Sequence, residues 1–228
     1  MIIGNGLLAK SLKNYDRPVV LFIAAGVSDS KCTDPSEFER EKKLVKKSVQ
    51  DHLEKTIIFF STFSINDPVM AESPYVKCKL ELENYVLTHS SKCLVIRISN
   101  LVGEGGNPTN IFNFFFDRIV SGNRFTLWAN SRRNLIMEQD FVKILNYIID
   151  NELAEKLNKI LNIVNVQSYS VLDIITSIEQ HTEKKAIYDL VQIESVPQEV
   201  DEHSRKMFQL LQIDTDNYLR RILEKYFA

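Results

Sequence analysis

The chain has 228 residues, 44% hydrophobic and 25% charged, which is the balance of a soluble globular protein with one sizeable core and room for a small appended lobe. A net charge of -2 at pH 7 excludes a general attraction to nucleic acid or an anionic membrane, so any phosphate must be held by local groups. Three cysteines, Cys32, Cys78 and Cys93, lack CxxC spacing and so speak against a disulfide framework or a metal site. With no apolar run near the roughly 18 residues of a membrane helix, and no charged start with a long apolar stretch at the N-terminus, the expectation is a cytoplasmic protein with neither nucleic-acid nor membrane partners.

Met1 to Ile3 is a short apolar run ending at Gly4-Asn5-Gly6, and a helical pattern follows from Leu7 to about Lys13. Val19 to Ala24 is a continuous apolar run between Pro18 and Gly26, which is how a strand buried on both faces reads. Asp34-Pro35-Ser36-Glu37 is a helix start, with a capping Asp, Pro at the first position and Glu three residues after the cap. Phe38, Val45, Val49 and Leu53 supply that helix with an apolar face. Thr56 to Phe60 and Cys93 to Ile98 are further buried strands, separated by a helix from Ser73-Pro74 to about Thr88. Strands alternating with helices imply parallel βαβ units and an α/β fold.

The second half is less regular. Asn107-Pro108 opens a helix carrying Phe112, Phe115, Phe116 and Ile119, which Gly122 stops. Helices are expected from about Gln139 to Ile149, after Ser170 and from about Asp216 to Tyr226, with a returning strand over 160–166. Residues 1–102 form the expected cofactor core. The mixed region 103–228 adds a small substrate lobe, drawn from about Gly103 to Leu135 and the tail beyond Ser168.

Gly4, Gly6 and Ala9 make a GxGxxA pattern between a strand and a helix. The first glycine permits a tight turn, the second lets a pyrophosphate approach the backbone, and the small alanine allows close packing of helix on strand. The helix N-terminus then offers free N–H groups and partial positive charge. Dinucleotide folds also carry an acidic residue about 20 positions later, at the end of their second strand. Here Asn14-Tyr15-Asp16-Arg17 leads straight into the run at Val19, leaving no room for that strand. Asp16 and Arg17 are what remains to touch an adenosine ribose or a 2′-phosphate.

Tyr75 and Lys79 stand four apart on one helix and so share a face. Thr62 follows a buried strand at its carboxyl end, where open α/β sheets bind ligands. Together they can perform carbonyl chemistry. The ammonium stabilises a phenolate, the phenol serves as acid or base, and the threonine hydroxyl holds the substrate oxygen.

In this order the marks resemble the extended short-chain dehydrogenase/reductase family of the NAD-dependent epimerase/dehydratase type. Gly4-Asn5-Gly6-Leu7-Leu8-Ala9 is similar to its cofactor turn, and Ala24-Ala25-Gly26 to the small-residue segment along the cofactor. Phe60-Ser61-Thr62 is similar to its catalytic strand end, and Ser73 to Lys79 to its Tyr-xxx-Lys helix. Arg97 to Gly103 and Arg132 to Val142 are similar to its substrate segments, and Asn162 to Ile174 to its closing strand and helix. The resemblance implies a Rossmann-like parallel sheet without the usual second and third strands. It implies Thr62, Tyr75 and Lys79 as catalytic residues. Cofactor would lie on Gly4, Asn5, Gly6, Leu7, Leu8, Ala24, Ala25, Gly26, Tyr75 and Lys79, and a nucleotide-sugar on Thr62, Phe63, Asn100 and Arg133.

The departures are the missing strands and a gap of only 13 positions between Thr62 and Tyr75. They leave NAD against NADP open, with NADP(H) the preferred cofactor. Dehydratases of the family place an Asp-Glu pair after the catalytic Thr, whereas Phe63-Ser64 follows here. Reduction of a keto group in a nucleotide-activated sugar for a surface polysaccharide is therefore the preferred reading. Epimerisation with retained NAD, or nucleotide binding without catalysis, are the alternatives. The resemblance also implies a homodimer.

Overall fold

The short apolar runs at the start of the chain become adjacent parallel strands. The structure is a computed structural model and describes residues 1–192 and 199–227. Strand β1 (Ile2–Ile3) leads through the glycine turn into α1 (Leu7–Ser11), a 3-10 turn over 13–15, and β2 (Val20–Ile23). Helix α2 (Pro35–Asp51), β3 (Thr56–Thr62), α3 (Pro74–His89) and β4 (Cys93–Ile98) complete the regular half. A later strand, β8 (Lys159–Ile163), returns to the same sheet, whose order is β1-β2-β3-β4-β8 with every pair parallel. β1 is thus an edge strand lying directly against β2. This is the expected α/β sheet without the two strands that normally extend beyond the first.

Side chains alternate across the sheet with period two. Leu21, Ile23, Ile57, Phe59, Cys93 and Val95 face α2 and α3, where Phe38, Val45, Val49, Val76, Leu82 and Val86 meet them. Phe22, Ile58, Phe60, Leu94 and Ile96 face the other side, covered by α5 (Glu138–Tyr147) and α8 (Glu202–Leu210) through Phe141, Ile144, Leu145, Met207 and Phe208. Both faces being covered explains why the middles of these strands are apolar on both sides.

The remaining elements build a second, smaller core. They are β5 (Asn100–Val102), α4 (Ile111–Val120), β6 (Phe125–Ala129), β7 (Arg132–Met137), β9 (Ser168–Ser170), α7 (Val171–Thr182), β10 (Tyr188–Gln192) and α9 (Tyr218–Tyr226), whereas α6 (Leu153–Lys156) packs through Leu153 on the large-sheet core. Phe112, Phe115, Phe125, Leu135, Ile174, Ile178, Leu219 and Ile222 pack together there. β5-β7-β9 and β10-β6 are two small sheets. The chain crosses between cores more than once, since α8 packs on the large sheet and α9 on the small core.

Several expectations need correction. Leu53 lies beyond the end of α2 and is 56% exposed, because the helix stops at Asp51. Val19 stands outside β2 and is exposed. The helix opened by Asn107-Pro108 begins later, with Asn110 as its cap accepting from the Phe112 N–H at 3.1 Å. α5 passes into a π-helical turn over Ile148–Glu152 rather than ending cleanly. β6, β10 and α8 are elements the residue pattern did not reveal. Residues 193–198, part of the tail assigned to the substrate lobe, lie outside the described residues.

Candidate active site

The ends of β1, β2, β3 and β4 all deliver their following residues to one cleft of about 1040 Å³. Gly4, Asn5, Gly6, Leu7, Leu8, Ala24, Ala25, Gly26, Thr62, Phe63, Tyr75, Lys79 and Asn100 all line it. Gly4 adopts φ +135°, and a Cβ there would sit 2.7 Å from the Ala24 carbonyl carbon. That crowding is why the turn begins with glycine. A Cβ on Gly6 would meet nothing within 4 Å, so the space over the second glycine belongs to the cleft. Ala9 is buried, and no side chain caps the α1 N-terminus, which leaves its first N–H groups for a ligand.

Thr62 is the last residue of β3, and its Oγ1 accepts from the Ser64 N–H at 3.1 Å. That bond occupies a lone pair and leaves the hydroxyl proton to donate. Ser73 caps α3 through the Val76 N–H at 3.2 Å with Pro74 at the first position. This start puts Tyr75 in the first turn and Lys79 one turn later. The Lys79 Nζ lies 5.5 Å from the centre of the Tyr75 ring.

A residue the sequence reading missed completes this wall. Glu41 of α2 forms an ion pair with Lys79, their side chains being 1% and 6% exposed. Its other oxygen, Oε2, accepts from the Val27 N–H at 2.9 Å. Burial works against the Lys79 ammonium, but Tyr75 and Glu41 outweigh it and hold its pKa above the usual lysine value. The signal was available: Phe38, Glu41, Val45, Ser48 and Val49 form the buried stripe of α2, and an acid on such a stripe must have a partner.

Two further polar atoms lack partners. Ser61 Oγ and Ser99 Oγ are buried without a hydrogen bond, on residues that line the cleft. Orphaned hydroxyls, an uncapped helix end and open space over Gly6 fit the polar, phosphate-bearing body of a nicotinamide dinucleotide. On its adenosine side the fit ends at β1, the edge of the sheet.

Not every expected residue joins the cleft. Asn100 lines it, with Nδ2 donating to the Asn134 carbonyl at 2.9 Å. Arg133 sits on β7 off the cleft wall, donating to the Arg132 carbonyl at 2.8 Å, and burial pushes its pKa down. Arg17 pairs with Asp150 at 2.8 Å, and Asp16 binds the N-terminal ammonium. Neither residue lines the cleft. Among the described residues no cluster of His, Cys, Asp and Glu could hold a metal ion, and no helix is long and apolar enough to cross a membrane.

A parallel sheet with a glycine turn after its edge strand, and with Thr62, Tyr75 and Lys79 lining the same cleft as that turn, defines a Rossmann-like α/β fold. Residues 52–164, just under half of the chain, match the family model described as the NAD dependent epimerase/dehydratase family. No curated protein sequence matches the chain. Among solved structures, RMD from Pseudomonas aeruginosa complexed with NADPH superposes with a TM-score of 0.73 at 16% identity, covering 98% of this chain and 96% of that one. UDP-glucuronic acid 4-epimerase from Bacillus cereus, in complex with UDP-glucuronic acid and NAD, gives 0.70 at 20% identity, covering 96% and 76%. dTDP-glucose 4,6-dehydratase from Bacillus anthracis in complex with NAD gives 0.69 at 14%, covering 96% and 75%.

Proposed function

We propose that the protein is an NAD(P)H-dependent reductase of a keto group in a nucleotide-activated sugar, with NADP(H) preferred over NAD(H). The observation that carries this reading is that Thr62, Tyr75 and Lys79 line the same cleft as the turn from Gly4 to Leu8. A bound nicotinamide would supply the hydride. The Thr62 hydroxyl donates to the substrate carbonyl oxygen and holds it beside Tyr75. The Tyr75 phenol delivers a proton to that oxygen, and the Lys79 ammonium stabilises the phenolate left behind. We assign Asn100 and Arg133 to the diphosphate of the substrate. Arg133 reaches it by turning its guanidinium away from the Arg132 carbonyl.

Dehydration lacks its acid. Phe63 and Ser64 follow Thr62, and the next carboxylate, Asp67, accepts from the Val69 N–H at 3.0 Å. Glu41 is the carboxylate in the cleft, and both its oxygens are engaged. Epimerisation with a retained cofactor is the second reading, favoured by the likeness to the UDP-glucuronic acid 4-epimerase. An activated sugar finished by reduction is a donor for glycosyl transfer, and surface-polysaccharide assembly is the setting we infer.

The test is titration with NADH and NADPH followed by fluorescence, then turnover with a panel of nucleotide-linked keto-sugars. A reductase consumes reduced cofactor in step with substrate. An epimerase interconverts sugars with no net consumption. Tyr75→Phe should keep cofactor binding and lose roughly 100- to 10,000-fold in rate. Failure of either cofactor to bind would overturn the catalytic reading.

A further inference from the structure

Beside Tyr75 and Lys79 stands a third residue, Glu41, that takes no direct part in the proton and hydride transfers. Three elements converge on the Glu41 carboxylate. One oxygen pairs with Lys79 of α3, and the other accepts from the Val27 N–H at 2.9 Å in the segment after β2. Gly26 makes room for it. A Cβ there would lie 2.6 Å from the Glu41 carboxyl carbon and 3.1 Å from the Lys79 Nζ. The pair therefore fills the volume that a side chain at position 26 would take, against the floor of the cleft.

We propose that Glu41 is a positioning residue: its buried carboxylate keeps Lys79 charged and aimed at Tyr75 in a site with almost no water to do so. A lone ammonium buried this deeply would shed its proton, and a neutral amine stabilises a phenolate far less. Glu41 supplies the charge that bulk solvent cannot. It also ties the ammonium to the segment running along the cleft, since the Val27 N–H restrains the carboxylate from the far side. The role of the pair in carbonyl chemistry rests on the reductase reading, but the pairing itself does not.

The titratable and charged groups around the pair come from two helices. α3 contributes Tyr75, Cys78 and Glu81, and α2 contributes Glu41 and Lys42. The Cys78 thiol is pushed up to about 11 by burial and stays neutral across the working range. Lys42 is bonded to Glu81 at 2.6 Å. Among these groups, Glu41 is the carboxylate in direct contact with Lys79.

The experiment is an NMR titration of protein carrying ε-13C lysine, without cofactor, with the Lys79 signal assigned through Lys79→Arg. In the wild type Lys79 should titrate above the exposed lysines. In Glu41→Gln its midpoint should fall by more than one pH unit, a change of over tenfold in its protonation equilibrium, while the other lysines stay put. A purely structural contact would leave the titration where it was. An unchanged or higher midpoint in Glu41→Gln, or a wild-type Lys79 that titrates below the exposed lysines, overturns the proposal. Should Glu41→Gln not fold, the wild-type titration decides. Absence of nicotinamide binding would sink the reductase reading and leave this result standing, so the two failures are distinguishable.

Discussion

Replacing Tyr218 by phenylalanine keeps the ring that α9 packs into the small core and removes one oxygen. In the native chain that oxygen donates to Asp140 Oδ2 at 2.7 Å and accepts from the Met137 N–H at 2.9 Å. Tyr218 is 1% exposed, so no water stands ready to replace the lost partner. A hydrogen bond to a charged group contributes about 1.5–3 kcal/mol and a neutral one about 1, which puts the cost of Tyr218→Phe near 3 kcal/mol at neutral pH. Burial raises the Asp140 pKa, and the Tyr218 hydroxyl is the strongest opposing influence. An acid raised in the folded state contributes stability in acid that is lost as pH climbs through its folded pKa. Without the hydroxyl that pKa rises further, so the penalty should grow from acid towards neutral pH. Urea unfolding at several pH values measures it as a shift in midpoint at constant slope. A cost below about 1 kcal/mol, or one independent of pH, would refute the reasoning.

Two other interior contacts should behave as sharply. Arg97 of β4 makes a two-pronged pair with the buried Glu83 of α3 at 2.9 and 2.7 Å. Glu83→Gln should cost about 3 kcal/mol in urea unfolding, with little change on adding salt, because the pair is shielded from solvent. Asn134 donates to the Asn165 carbonyl at 2.7 Å and accepts from the Asn165 N–H at 3.0 Å, tying the chain after β8 to β7. Asn134→Ala should lower the thermal midpoint by several degrees, since it orphans buried backbone groups. A variant that melts with the wild type would show that water replaces the asparagine.

The regular half of the fold was legible because its strands are covered on both faces. Val19 to Ala24, Thr56 to Phe60 and Cys93 to Ile98 read as largely apolar runs, and capped helix starts at Asp34 and Ser73 marked what lies between them. The second half resisted because its strands are short and half-exposed. β6 alternates buried and exposed positions, and β10 has mostly exposed residues, so neither stands out from a loop. The same limit applied to Asp16 and Arg17. Their types suited an adenosine pocket, but the N-terminal ammonium and Asp150 that engage them are distant in sequence.

Sequence alone determined the order of the site: a glycine turn, a threonine at a strand end and a tyrosine and lysine one helical turn apart. Those are local relations, dictated by backbone geometry within a few residues. Tertiary structure decided the partnerships. Glu41 and Lys79 are 38 residues apart and meet only because α2 and α3 pack side by side on one face of the sheet. Desolvation there makes a carboxylate necessary beside the ammonium. Arg133 has a residue type suited to a diphosphate, yet its guanidinium donates to the neighbouring Arg132 carbonyl, a bond that its residue type does not announce. A side chain's chemistry is written in its own residue, whereas its charge state and reach depend on what the rest of the chain places around it.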